Sequence, residues 1–238
     1  MEMIAASIVV FLAAGVHACT GFGFSILAAP YLLLIFDPAE AIQINIALSI
    51  GISLLLAPKL ASDVDKPLLG RLVFGGLAGA PFGIALYLLA DPEHLRAVVG
   101  ALLLGFTALI LRDFKIARSR RKDVLIGGLS GALTSGLGMP GPPLMVYFAS
   151  TTLSPSVLRS TTLACFLVIY LASLILQIVV GSSSLDVFYA ALLLTPATAL
   201  GAAAGQILFT RMNTAFFMKL LYGLLLITGV YLLAEAAL

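Results

Sequence analysis

Charge is what this sequence has least of. Asp, Glu, Lys and Arg make up 10% of its 238 residues, against roughly 25% in an ordinary soluble domain. With 61% hydrophobic residues, the chain reads as an integral membrane protein rather than a soluble one. All eleven acidic residues fall at or near the ends of apolar runs. No carboxylate is therefore set at mid-membrane depth, where proton-driven transporters keep their relays. Cysteine is nearly absent: Cys19 and Cys165 both sit inside apolar segments, which argues for small buried side chains and against a structural disulfide. The two histidines, His17 and His94, are far apart. Without a carboxylate at depth they form neither a metal cluster nor a nucleophile–base pair, so an intramembrane enzyme is disfavoured and no metal or cofactor is expected. Nothing in the composition points to nucleic acid. GFGF at 21–24 lacks the sixth-position glycine of a dinucleotide fingerprint and interrupts a membrane run instead of following a strand. Without a nucleotide-binding fingerprint, ATP hydrolysis is not expected either.

Long hydrophobic runs are what the sequence does have. Met3–Phe36 is one apolar stretch broken at Gly21-Phe22-Gly23 and ended by Asp37-Pro38. Ile4–Ala14 has the look of a signal-peptide core. It lacks a positive n-region, and apolar character resumes after Cys19, so it is read as membrane segment. Helices are expected over 41–57, 72–90 and 95–111. The basic segment Arg112–Lys122 follows, and then the pattern repeats: Val124–Thr151 with a break at Gly136–Pro143, and helices over 157–180, 187–209 and 215–234. The third segment of one half carries Gly75, Gly79 and Gly83, and its counterpart Ala197, Gly201 and Gly205. Small residues four apart let membrane helices approach closely.

The distribution of basic residues sets an expected topology. If each broken stretch is a hairpin that enters and leaves on one side, three crossings remain per half and the halves are inverted. With the linker 112–122 in the cytoplasm, every basic residue except Arg96 then lies on the cytoplasmic side. If the broken stretches crossed fully, Arg159, Arg211 and Lys219 would move outside as well. The expected fold is thus all-α: two inverted-topology repeats, each a broken or re-entrant helical hairpin plus three transmembrane helices. Repeat 1 is 1–111, with its hairpin over 3–36, and repeat 2 is 123–238, with its hairpin over 124–151. The protein would lie in the inner (plasma) membrane with both termini outside. Association into a homodimer is left open.

Glycine and proline breaks free backbone groups where no water reaches them, and these are tolerated only in protein or at a cavity. A matched pair of broken helices is the best pointer to a transporter's substrate site. Helix starts carry unpaired N–H donors and about half a positive charge. Two starts meeting near the midplane, around Phe24–Ser25 and Pro142-Pro143, would hold an anion without a buried cation. Candidate binding residues are Thr20, Gly21, Phe22, Gly23, Phe24 and Ser25 at the first break. At the second they are Ser135, Gly136, Gly138, Met139, Pro140, Gly141 and Pro142. The bland alternative is packed kinks, with the hydroxyls of Thr20, Ser25, Thr134 and Ser135 bonded to their own turns.

His17, about one turn before the first break, is read as a substrate contact, a proton relay, or a neutral histidine bonded to a helix carbonyl. Asn45 and Gln43 add amide donors or stabilise helix contacts. Arg159 is a snorkelling topology marker or draws anions to the inner mouth. Gln177 lies too near the far end of its helix to rank highly.

GFGFSILAAP and SGLGMPGPPL, set in two halves of four apolar stretches joined by a basic linker, resemble the sulfite exporter TauE/SafE family over nearly the whole chain. Phe24 and Ser25, and Met139 and Pro140, stand where the family pattern has further glycines. The resemblance implies export of sulfite or an organosulfonate. The alternatives are a permease for another small anion or a neutral sulfur compound, or an anion channel. An anion leaving the cell gains about 2.3 kcal/mol per charge per 100 mV of inside-negative potential. Uniport or exchange by alternating access at the midplane site is therefore expected, with any proton coupling resting on His17.

Overall fold

The computed structural model describes residues 2–60, 63–89, 92–112, 116–148, 151, 153–180 and 183–209, with 226, 230, 233 and 234 beyond. Apart from those last four positions, the helix expected over 215–234 lies outside the described residues. So do Arg211 and Lys219, and the side chains of Cys19, Thr20, Lys59, His94 and Arg96.

Nine helices are seen among the described residues, and no strand. They are α1 (Glu2–Thr20), α2 (Phe24–Leu32), α3 (Pro38–Leu60), α4 (Lys66–Leu89), α5 (Pro92–Leu111), α6 (Arg120–Leu137), α7 (Gly141–Phe148), α8 (Pro155–Val179) and α9 (Leu185–Phe209). Four are long and apolar enough to cross a membrane: α3, α4, α8 and α9. The helices α3 to α6, α8 and α9 begin two to six residues before the apolar stretches that mark them. Local caps explain two of these starts. The hydroxyl of Ser119 accepts from Lys122 N at 3.3 Å ahead of α6. That of Ser154 accepts from Val157 N at 3.4 Å ahead of α8.

Both glycine-rich stretches break the helix. Between α1 and α2, Gly21 and Gly23 take φ of 77° and 109°, and after α6 Gly138 takes φ of 69°. These left-handed values cost a glycine little and strain any other residue. At the second break the N–H groups of Gly138 and Met139 turn back to the carbonyls of Thr134 (2.8 Å) and Leu133 (3.1 Å). The end of α6 is thereby wrapped with its own backbone.

The glycine-lined helices pair across the chain. α4 packs on α6, and α9 packs on α1. A Cβ at Gly75, Gly79 or Gly83 would fall 2.0, 1.9 or 1.9 Å from the carbonyl oxygens of Val124, Gly128 and Ala132. On the other pair, a Cβ at Gly201 or Gly205 would fall 2.1 or 2.3 Å from those of Phe11 and Gly15. Between these pairs α3 packs on α8, and the two breaks are lodged against them.

Candidate functional site

At the first break, α2 begins without a side-chain cap. Its first bond to the preceding turn is Leu27 N to Gly23 O, 3.0 Å, so the N–H groups of Phe24, Ser25 and Ile26 have no partner within the helix. His17 takes one of them: Phe24 N–H donates to His17 Nδ1 at 3.3 Å. A ring nitrogen that accepts carries no proton, so the neutral imidazole holds its hydrogen on Nε2. That Nε2 is buried and has no hydrogen-bond partner among the described residues, and His17 itself is 1% exposed. His17 is thus bonded to the start of α2 and not to a helix carbonyl, with one donor left over.

Arg159 lies at the same break. Its Nη2 donates to the Ala18 carbonyl at the end of α1, and a Cβ on Gly21 would come within 2.8 Å of its Cγ. The guanidinium therefore sits on the negative end of the α1 dipole. The side chain turns onto the first break.

The second break is held by amides. Asn45 Nδ2 donates to Gly138 O at 2.8 Å, and Gln177 Nε2 donates to Ser135 O at 2.9 Å. Gln177 is fully buried because α8 runs alongside the end of α6. The start of α7 is poor in donors. Pro140, Pro142 and Pro143 carry no N–H, which leaves Gly141 as the one amide donor of residues 140–143. The two helix starts are therefore chemically unequal.

The structure sorts the remaining candidates. Thr134 Oγ1 donates to Ser130 O of its own turn at 2.6 Å, the bland outcome, whereas Ser135 Oγ reaches across to Ala80 O of α4 at 2.6 Å, with Gly131 O of its own turn at 3.1 Å. Gly136 meets Gly83 of α4 and serves close packing. Gln43 donates to Tyr87 OH at 3.0 Å. Met139, Pro140, Gly141 and Pro142 are buried. The starts of α2 and α7 lie flank to flank: a Cβ on Gly141 would stand 3.1 Å from Ile26 Cδ1, while the Phe22 ring packs, tilted, against Phe148 at the far end of α7, centroids 6.4 Å apart.

Tyr170 on α8 was not legible as a candidate. It is fully buried, and its hydroxyl lies against those of Ser25 on α2 and Ser49 on α3, without a well-formed hydrogen bond to either. Ser49 in turn bonds Asn45 O at 2.7 Å. Hydrogen bonds thus join Ser49 to Asn45 and Asn45 to Gly138 at the second break, and Tyr170 sets its hydroxyl beside Ser49 and beside Ser25 of the first, so that buried polar groups line the way from one break to the other. Along α3 the residues Asn45, Ser49 and Ser53 recur every four positions. Along α8 Tyr170, Ser173 and Gln177 occupy a similar stripe, and all six are fully buried. No group of three or more metal-ligating side chains is found among the described residues.

A second cluster lies at the start of α6. Asp123, 1% exposed, takes Arg71 Nε at 2.8 Å and Arg118 Nε at 3.4 Å. Tyr147 OH donates to the same carboxylate at 2.7 Å. Position alone marked Asp123 as a segment-end residue; only the packing buries it.

A multi-pass helical membrane protein whose two broken segments share one lining of buried polar groups is built as a transporter. The chain belongs to the sulfite exporter TauE/SafE family, whose profile matches residues 6–232. It is a multi-pass plasma-membrane transporter and not an enzyme. No curated protein and no solved structure matches the chain.

Proposed function

We propose that this chain exports a small sulfur oxyanion, sulfite or an organosulfonate, by exposing a site between the two breaks to each side of the membrane in turn. The observation that carries this reading is the shared polar lining. Ser25, Tyr170, Ser49 and Asn45 line the way from the start of α2 to the turn at Gly138, so a solute bound there senses both breaks. Unused donors at Tyr170, at His17 Nε2 and at the start of α2 suit an oxyanion. Gly21, Phe22, Gly23 and Phe24 shape one end of this site. Met139, Pro140, Gly141 and Pro142 shape the other, and Arg159 supplies positive charge.

The two-repeat architecture, 1–111 and 123–238 about a cytoplasmic linker 112–122, is supported by two sets of contacts. Leu27 and Tyr31 of α2 line one groove with Val9, Leu12 and Ala13 of α1, as in a hairpin that doubles back. Tyr147, near the end of α7, reaches Asp123 near the start of α6 in the same manner. The exchange of partners, α4 with α6 and α9 with α1, is the relation an inverted pair of halves would produce.

The test is counterflow in proteoliposomes. Preloaded unlabelled sulfite should drive transient accumulation of labelled sulfite, with saturable kinetics. Linear flux without counterflow would instead favour a channel. Net uniport of the anion would respond to membrane potential, whereas one-for-one exchange of equal charges would not. Flux unchanged at zero potential under a pH gradient alone would sink the uniport reading.

A further inference from the structure

We infer that the oxyanion bound between the breaks is a monoanion that keeps one donor hydrogen, and that Asn45 Oδ1 reads that hydrogen. This rests on the proposed site and names the ionic form it takes. Asn45 is completely buried on α3. Its amide orientation is not free. Nδ2 donates to Gly138 O at 2.8 Å, and turning the group over would set two oxygens against each other. Oδ1 is therefore held as an acceptor, and it has no partner among the described residues. The nearest hydroxyl on its own helix, Ser49, is committed to Asn45 O.

A buried acceptor without a donor is costly, and a ligand that supplies the donor removes that cost. A ligand without one leaves the acceptor stranded. This is the chemistry by which buried polar groups discriminate best.

Charge points the same way. No Lys or Arg is buried among the described residues, and half-buried Arg159 is the cation at the first break. The Born cost of desolvating an ion grows with the square of its charge. One partly screened cation and a set of neutral donors suit one negative charge and not two. A hydrogensulfite-type anion, with a hydrogen for Asn45 and oxygens for Tyr170, Ser25 and the α2 amides, meets each of these conditions. Sulfate, as a dianion without a donor hydrogen, fails both. Methanesulfonate satisfies the charge but not the donor.

The experiment is binding to the purified wild-type protein in nanodiscs, with sulfite, methanesulfonate and sulfate each titrated across neutral pH. Titratable side chains buried on the helices around α3 include His17 on α1, Tyr87 on α4, Asp123 on α6, and Cys165 and Tyr170 on α8. Methanesulfonate does not titrate in this range, so its own pH trend measures what these groups contribute.

Relative to that control, the apparent sulfite affinity should fall about tenfold per pH unit once the monoprotonated form is the minor one. At the acidic end methanesulfonate should bind at least about tenfold more weakly than sulfite, and sulfate should not compete. In Asn45→Leu, sulfite and methanesulfonate should become equal. Should that variant fail to fold, the wild-type panel decides alone. Sulfite binding that follows the methanesulfonate trend, or equal affinities at acidic pH, overturns the inference and leaves an oxyanion site standing. Binding of none of the three anions overturns both.

Discussion

Gly79→Ala puts the helix pairing to a quantitative test. The added methyl would lie 1.9 Å from the carbonyl oxygen of Gly128, 2.7 Å from its carbon and 2.9 Å from its Cα. These are backbone atoms of α6 and cannot swing aside. Bringing the closest contact to roughly 3.2 Å, within the short end of van der Waals range, moves α4 and α6 apart by about 1.3 Å. The bond from Ser135 Oγ to Ala80 O, now 2.6 Å, then stretches to about 3.9 Å and is lost. Overpacking of about 1–3 kcal/mol and a buried hydrogen bond of about 1 kcal/mol sum to about 2–4 kcal/mol. For a chain of this size that lowers the apparent Tm by about 4–16 °C. Gly70→Ala, in the same helix, is the control. A Cβ there meets nothing within 4 Å, and alanine's better helix propensity should leave Tm unchanged or raise it slightly. Both are read by heating detergent-solubilised protein and measuring the monodisperse fraction. Equal Tm values for Gly79→Ala and wild type, or an equal fall in Gly70→Ala, would refute the reasoning.

Three further outcomes are expected. Tyr170→Phe keeps the volume of a ring that packs edge-on against Phe166 at 5.9 Å, so Tm should hold. Sulfite counterflow should drop about tenfold, as expected for one donor; unchanged flux removes Tyr170 from the site. Asp123→Asn leaves Arg71 and Arg118 without the carboxylate they share. Because both arginines are 27% exposed, the loss should be about 2–3 kcal/mol, below the value for a fully buried pair, and visible as a lower Tm. Gly23→Ala forces a side chain onto φ of 109° and should cost about 1–3 kcal/mol, whereas Gly51→Ala, with nothing within 4 Å, should be silent in the same melt.

The membrane class, the two breaks and the close-packing glycines were all legible in the sequence, because each is a local property. Scarcity of charge forbids a solvated fold, and glycine and proline act on the backbone where they stand. The identity of the partners was not. Asn45 meets Gly138 across 93 positions, Gln177 meets Ser135 across 42 and Arg159 meets Ala18 across 141. Periodicity on one helix does not say which distant backbone end its polar face will cap. Arg159 and Gln177 could be ranked only by depth along their own helix, which says nothing of these partners.

Asp123 likewise stood at a segment end, where a carboxylate is normally solvated. Packing of α4 and α7 around the start of α6 buried it instead. By itself, then, the sequence determined that the chain lives in the bilayer and where its helices must interrupt themselves. Tertiary packing alone decided that both interruptions share one buried polar lining, because it depends on how α3 and α8 lie against them.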